Sequence, residues 1–259
     1  MLPSRDNTGW GKGTYSEKSY IRQRASEYER LVKEGSFIAS MISDSYEKTA
    51  IDLGCGIGGH ICGLAENGFR AIGIDINEQI LKEARERIVL RNLSAGFICS
   101  DFYSSSPEGQ FDCAMMLGGT FGLGDDRENF NLISSISEII PAGGRIVIGS
   151  DNREYIVASA EYSRGGQKKW IKEDRYYICE ESMFDLLSGR YNRRTERMDL
   201  SDGSKTVSDW TSVRLYALSE FRQIAAAAGF EIEHVFGSLL GHEYSASSKE
   251  MIVFAKRII

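Results

Sequence analysis

The 259-residue chain has no continuous apolar run of about 18 residues, no C-x-x-C pair and no surplus of basic side chains. The missing apolar run argues against a membrane-spanning helix. The cysteines, Cys55, Cys62, Cys99, Cys113 and Cys179, are odd in number, and three lie in or beside apolar runs that read as buried strands. They are expected to be reduced core residues, not a disulfide framework. With 31 Lys and Arg against 37 Asp and Glu, the net charge of -6 opposes electrostatic capture of nucleic acid. No H-x-E paired with P-C-x-x-C suggests a zinc site, and no metal is expected. No signal peptide opens the sequence, so the expected location is cytoplasmic. Internal repeats and low-complexity segments are lacking as well. What is present is 42% hydrophobic content, enough to build a sizeable core.

Residues 1–15 are polar and glycine-bearing and read as a loose arm, in which Trp10 and Tyr15 are costly to leave idle. From Ser16 to about Ile42 the apolar spacing is helical, with Gly35 expected to break it into two helices. Short apolar strands then alternate with helices: strands over 49–53, 70–76, 95–100, 111–117 and 145–149, with helices over 58–66, 77–92 and 128–140. Continuous apolar strands separated by helices imply a parallel sheet covered on both faces, a doubly wound Rossmann-like α/β core. After Asp151 the alternation stops. Period-two polar segments with hairpin signals at Ser188-Gly189 and Asp202-Gly203 predict three or four antiparallel strands, an inserted β-cap over 153–216. Residues 217–259 return the chain to the first sheet, completing seven strands with 48–152, and 1–47 would form a lid.

The stretch Asp52-Leu53-Gly54-Cys55-Gly56-Ile57-Gly58-Gly59 places G-x-G-x-x-G where a strand turns into a helix. A turn without side chains lets a ligand touch the backbone, with helix N-terminal N–H groups facing an acceptor. Asp75 ends the next strand, 21 positions after Gly54, where a carboxylate can accept both hydroxyls of a ribose. These features alone leave dinucleotides and S-adenosylmethionine both open. Asp52, immediately before the turn, would repel a pyrophosphate and attract an ammonium and a sulfonium. Asp101-Phe102 after the third strand supplies a carboxylate for an adenine amino group and a ring beside the base.

In this order and spacing, Asp52-Leu-Gly-Cys-Gly, Asp75, Asp101-Phe102 and Phe111-Asp112 resemble the core of class I S-adenosylmethionine-dependent methyltransferases, over about residues 48–150. Gly118-Gly119-Thr120-Phe121-Gly122, Asp151-Asn152-Arg153-Glu154, Phe184-Asp185, Gly189-Arg190, Val213-Arg214-Leu215-Tyr216 and Ala228-Gly229-Phe230 are similar to a bacterial group with a β-cap after strand five. Its members act, where known, mostly on small molecules, and their cap and N-terminal helix roof the methyl-donor pocket. The resemblance implies that Gly54, Cys55 and Gly56 approach the methionine part, Asp75 and Ile76 hold the ribose and flank adenine, Asp101 and Phe102 contact adenine, and Leu117 lies beside the sulfonium. Trp10, Tyr15 and Tyr20, five positions apart, sit where such proteins often carry aromatics over the cofactor or substrate. The N-P-P-[FY] tetrapeptide of many nucleic-acid and glutamine N-methyltransferases is replaced by Gly118-Gly119-Thr120-Phe121, which argues against those acceptors.

Methyl transfer is an in-line displacement at an activated sulfonium, so a dedicated base is optional. His242, in the loop after the sixth core strand, is the first candidate. Arg214 and Tyr216, two apart where the cap rejoins the core, are expected either to read a substrate carboxylate or carbonyl, or to form a structural ion pair. His234 is expected to pack, and His60 to face solvent or stand behind the site. The expected activity is transfer of the methyl of S-adenosylmethionine to an oxygen, nitrogen or carbon of a small molecule, leaving S-adenosylhomocysteine, with no nucleic acid and no membrane as partner. An NAD(P)-dependent oxidoreductase, an RNA methyltransferase and a non-catalytic S-adenosylmethionine-binding module are the alternatives.

Overall fold

The structure, a computed structural model, describes residues 25–44, 47–104, 107–159, 166–173, 175–208 and 210–259. Trp10, Tyr15 and Tyr20 lie outside the described residues. Helix α1 (Tyr28–Met41) precedes the first strand. The core then runs β1 (Thr49–Leu53), α2 (Gly59–Glu66), β2 (Arg70–Asp75), α3 (Glu78–Leu90), β3 (Gly96–Cys99), β4 (Cys113–Met116), α4 (Asp126–Ile139) and β5 (Arg145–Asp151). Asn77 caps α3 by accepting from the Gln79 and Ile80 N–H groups, and Asp125 with Glu128 forms a capping box on α4.

A short helix, α5 (Arg153–Ala158), leads into a second sheet of β6 (Gln167–Glu173), β7 (Tyr176–Asp185), β8 (Arg190–Asp199), β9 (Lys205–Val207) and β10 (Thr211–Arg214). Helix α6 (Leu218–Ala227) and strands β11 (Phe230–Phe236) and β12 (Glu250–Arg257) close the chain. The first sheet has seven strands in the order β11-β12-β5-β4-β1-β2-β3. All of its pairs are parallel except those of β12, which runs antiparallel to β5 and β11. Sequence order reverses between β1 and β4, so the crossovers leave in opposite directions there. The crevice at the carboxyl ends of those two strands is where such sheets receive ligands. The second sheet is antiparallel, in the order β10-β8-β7-β6 with β9 on β8. It is the inserted β-cap, with five strands in place of three or four because the three-residue β9 is too short to show a period.

Two hydrophobic clusters cover the two faces of the main sheet. One packs α4 and α6 against β4 and β5 and reaches into the cap root through Phe184, Tyr191 and Val213. The other packs α1, α2 and α3 against the opposite face.

Helix α1 passes through Gly35 unbroken, contrary to the expected break. The glycine is there for close approach: a Cβ on Gly35 would lie 2.3 Å from the carbonyl oxygen of His60, and one on Gly63 would lie 2.2 Å from that of Val32. The two helices cross backbone to backbone. One further expectation is corrected. Cys99, on the edge strand β3, is exposed, whereas Cys55, Cys62, Cys113 and Cys179 are buried.

Candidate active site

At the end of β1 the chain must leave the sheet and enter α2 within five residues. Gly54 does so with φ of 84°, and a Cβ there would lie 2.7 Å from the Thr120 side chain, which crosses over from the loop after β4. Gly56 follows with φ of 52° and open space where a Cβ would stand. Gly118 and Gly119, on the loop after β4, also have open space at that position. Bare backbone therefore lines the crevice at the carboxyl ends of both β1 and β4.

Asp75, at the end of β2, braces the turn: Oδ2 accepts the Gly56 N–H at 3.0 Å and Oδ1 accepts the Asn77 N–H at 2.9 Å. Burial pushes its carboxyl above the usual range, against the pull of those N–H groups. Each oxygen keeps a further lone pair for a ligand hydroxyl. Ile76 is half-buried beside it. Asp101 closes the loop after β3, with Oδ1 accepting the Tyr103 N–H and Oδ2 the Ser104 hydroxyl, each at 2.9 Å. Phe102 is buried, its ring 5.0 Å from that of Tyr103. Leu117 is buried against Gly149 of β5, while its carbonyl accepts the Thr120 hydroxyl at 2.7 Å. It is the backbone of Leu117, not its side chain, that holds the loop after β4.

Asp52 is the anomaly. It is 1% exposed, and both carboxylate oxygens lack a hydrogen-bond partner among the described residues. Burial first, then the charge of Asp75, pushes its carboxyl up to about 6, with His60 opposing. A buried carboxylate left without donors costs several kcal/mol unless it is protonated or meets a cation. His60, expected toward solvent or behind the site, is buried: Nδ1 stands 3.9 Å from Asp52 Oδ2, and Nε2 is 3.1 Å from Glu34 Oε2 on α1.

The candidates for chemistry lie elsewhere. Arg214 binds Asp126 at 3.1 Å, Glu220 at 2.7 Å and the Leu215 carbonyl at 2.6 Å, with its guanidinium 4.4 Å over the Tyr216 ring. The Tyr216 hydroxyl donates to Asp126 at 2.8 Å and accepts from Asn129 at 3.0 Å, and burial pushes its pKa up. These contacts tie the cap exit to α4 and α6. His242 is exposed on the loop after β11, its Nδ1 2.7 Å from the Ser238 hydroxyl of the same loop. His234, expected to pack, is exposed on β11 and stacks on Phe236. Among the described residues no group of three or more His, Cys, Asp and Glu could hold a metal ion.

Three residues given no site role from the sequence shape the site: Thr120 over Gly54, Glu34 behind His60, and Arg190. Arg190 donates to the carbonyls of Gly122, Leu123, Gly124 and Ser212 and to the Ser212 hydroxyl, clamping β8 to the loop after β4. The Gly189-Arg190 dipeptide was the sequence signal for the last.

An amino acid linked through a sulfonium to a nucleoside fits these donors and acceptors. Residues 50–144 match a family model described as a methyltransferase domain. The cypemycin N-terminal methyltransferase of a Streptomyces species is 27% identical over 214 residues, spanning 81% of this chain and 83% of that protein. Among solved structures, the CcbJ methyltransferase of Streptomyces caelestis superposes with a TM-score of 0.77 at 19% identity, covering 88% of this chain and 95% of that one. CalS10, an S-adenosylmethionine-bound amino pentose methyltransferase of Micromonospora echinaspora, does so with a TM-score of 0.66 at 19% identity, covering 91% and 96%. Residues 50–144 are a methyltransferase domain on a class I Rossmann-like fold, and the activity is S-adenosylmethionine-dependent methyl transfer with S-adenosylmethionine as the cofactor. Asp52, whose orphaned oxygens ask for a cation at the foot of the glycine turn, fits the ammonium of that cofactor.

Proposed function

We propose that this enzyme methylates a nitrogen of a small amine-bearing acceptor held beneath the β-cap. The observation that carries this reading is the buried, unpartnered Asp52 carboxylate beside an open glycine turn in a methyltransferase fold. The choice of nitrogen is supported by the relatives, whose names specify the N-terminus of cypemycin and an amino pentose.

In this reading residues 48–152 and 217–259 form the cofactor-binding core, 153–216 the cap over the site and 1–47 the lid. The placing of the cap is supported by Arg193 of β8, which pairs at 3.4 Å with Asp151 at the carboxyl end of β5. Asp52 receives the amino group of the cofactor, and the backbone of Gly54, Cys55 and Gly56 lines its amino-acid tail. Asp75 accepts the ribose hydroxyls with Ile76 alongside, Asp101 and Phe102 face adenine, and the turn at Leu117 lies beside the sulfur.

When bound, the cofactor supplies a methyl group on a sulfonium, already activated for in-line displacement. The chain then has to exclude water and hold the acceptor lone pair in line, which orientation alone accelerates strongly. A neutral amine attacks through its lone pair and sheds its proton afterwards. The catalytic roles expected of Arg214 and Tyr216 are not needed, and both are committed to Asp126. His242, bonded within its own loop, takes no proton-transfer role in this scheme.

Calorimetry should show binding of S-adenosylmethionine and S-adenosylhomocysteine to the purified protein, lost in Asp75→Ala, and no thermal stabilisation by NAD or NADP. Incubation with a panel of amino sugars, amino acids and short peptides should yield S-adenosylhomocysteine, while the N-acetylated panel should not. Turnover of hydroxyl-only acceptors with none on amines would sink the choice of nitrogen.

A further inference from the structure

The ring of His60 is held between two carboxylates that come from different parts of the fold. Glu34 Oε2, on α1, lies 3.1 Å from Nε2, and Asp52 Oδ2, on β1, lies 3.9 Å from Nδ1. All three side chains are buried. Burial alone would raise the Glu34 carboxyl, but the hydrogen bond from His60 and the charges of His60 and Arg30 hold it below the usual range. An ionised Glu34 can only accept, so Nε2 carries the proton and Nδ1 is the nitrogen turned toward Asp52. Arg30 binds Glu34 from the solvent side of the same helix.

Among the described residues the charged groups around the pair are Glu34 and Arg30 from α1, Asp52 from β1, Asp75 from β2, and Glu250 from β12 with Asp151 of β5, itself paired with Arg193, beside it. Among these residues carboxylates outnumber cations. One further positive charge is wanted there, and the free oxygens of Asp52 are where it would sit.

We propose that Glu34 and His60 are positioning residues for cofactor binding, holding Asp52 ionised and oriented for the cofactor amino group, so that helix α1 is part of the cofactor seat. This rests on the placing of the amino group at Asp52 in the reading above. The His60 ring, fixed by Glu34, stands beside Asp52 Oδ2 and leaves Asp52 Oδ1 for the ammonium. With Glu34 gone, nothing fixes the ring, and Asp52 falls back on a proton of its own.

The test compares two probes that share a nucleoside: S-adenosylhomocysteine, with the amino-acid tail, and 5′-methylthioadenosine, without it. Calorimetric affinities are measured for the wild type, His60→Gln and Glu34→Gln between about pH 5.5 and pH 8, the range over which an imidazole switches. In both variants S-adenosylhomocysteine should bind about 10- to 100-fold more weakly, the loss expected when a charge-assisted contact goes. Its pH profile should shift, while 5′-methylthioadenosine should bind as it does to the wild type. Equal weakening of both probes, or an unchanged affinity and pH profile for S-adenosylhomocysteine, overturns the proposal. A wild type that binds 5′-methylthioadenosine and S-adenosylhomocysteine equally well overturns the placing of the tail at Asp52, and this inference with it. Should His60→Gln fail to fold, Glu34→Gln decides, because its substitution keeps shape and removes only charge.

Discussion

Asp52 is where the demands of folding and of binding conflict. A carboxylate pushed up to about 6 from its ordinary 3.8 is protonated in the folded chain over a range where the unfolded chain has already released its proton. The folded state is therefore favoured at low pH, and that advantage is lost as pH rises from about 4 through about 6. A displacement of about two units corresponds to about 3 kcal/mol. Urea unfolding of the ligand-free protein at about pH 4 and pH 7 should show the wild type losing about 3 kcal/mol relative to Asp52→Asn across that range. Saturating S-adenosylhomocysteine should erase the loss in the wild type, because its ammonium compensates the charge, and leave the variant almost unmoved. A parallel pH dependence in both proteins would mean that Asp52 keeps an ordinary titration. At this scale the site was half legible. Asp52, Asp75 and the glycine turn declare themselves through a local spacing, whereas Glu34 and His60 meet 26 residues apart across a helix crossing that no periodicity reports.

That crossing sets what α1 can do as an element. Where Gly35 and Gly63 face the opposing helix, any Cβ would have to share space with backbone atoms, 2.3 Å and 2.2 Å away. Backbone cannot rotate aside as a side chain can, so the helices must separate. Gly63→Ala gains about 1 kcal/mol in helix propensity but should cost about 1–3 kcal/mol in overpacking, a net loss of stability readable from the urea midpoint. Separation also carries Glu34 away from His60, so affinity for S-adenosylhomocysteine should fall more than that for 5′-methylthioadenosine. Gly68→Ala serves as the control, since that glycine ends α2 with open space around it and its substitution strains only its own φ of 83°. The same glycine shows why some elements could not be read from sequence. Gly35 reads as a helix break because propensity is local, and only the tertiary contact reveals its use. The parallel strands, by contrast, were legible as apolar runs because both faces are buried. The six-residue α5 and the three-residue β9 are shorter than any period that could mark them.

For the whole molecule the decisive joint is Arg190, through which the cap and the core act as one body. Its guanidinium is surrounded by the carbonyls of Gly122, Leu123, Gly124 and Ser212 with the Ser212 hydroxyl, and burial lowers its pKa because no hydrogen-bonded carboxylate offsets the lost hydration. Beside it Arg214 N–H donates to the Gly122 carbonyl at 2.7 Å, and Phe184, Tyr191 and Val213 continue the core cluster into the cap. The clamped loop is the one that carries Thr120 over Gly54, so the cap is mechanically joined to the glycine turn. The chain offers a convenient readout: of its three tryptophans, Trp170 and Trp210 lie in the cap and Trp10 near the N-terminus. Emission from Trp170 and Trp210, isolated by Trp10→Phe, thus follows the cap, while helical circular dichroism follows the core. In that background the two signals should unfold together in urea. Arg190→Met removes the donors: the Gly122 and Gly124 carbonyls keep the Arg214 N–H and the Asn129 amide, but the Leu123 carbonyl loses its partner, costing about 1–3 kcal/mol if water cannot reach it. The cap should then relax to admit water, and the tryptophan transition should move to lower urea than the helical one. Methyl transfer should fall in the same variant, while S-adenosylhomocysteine, held by β1, β2 and α1, should still bind. Coincident transitions in Arg190→Met would show that the shared apolar root, not the clamp, couples the two bodies.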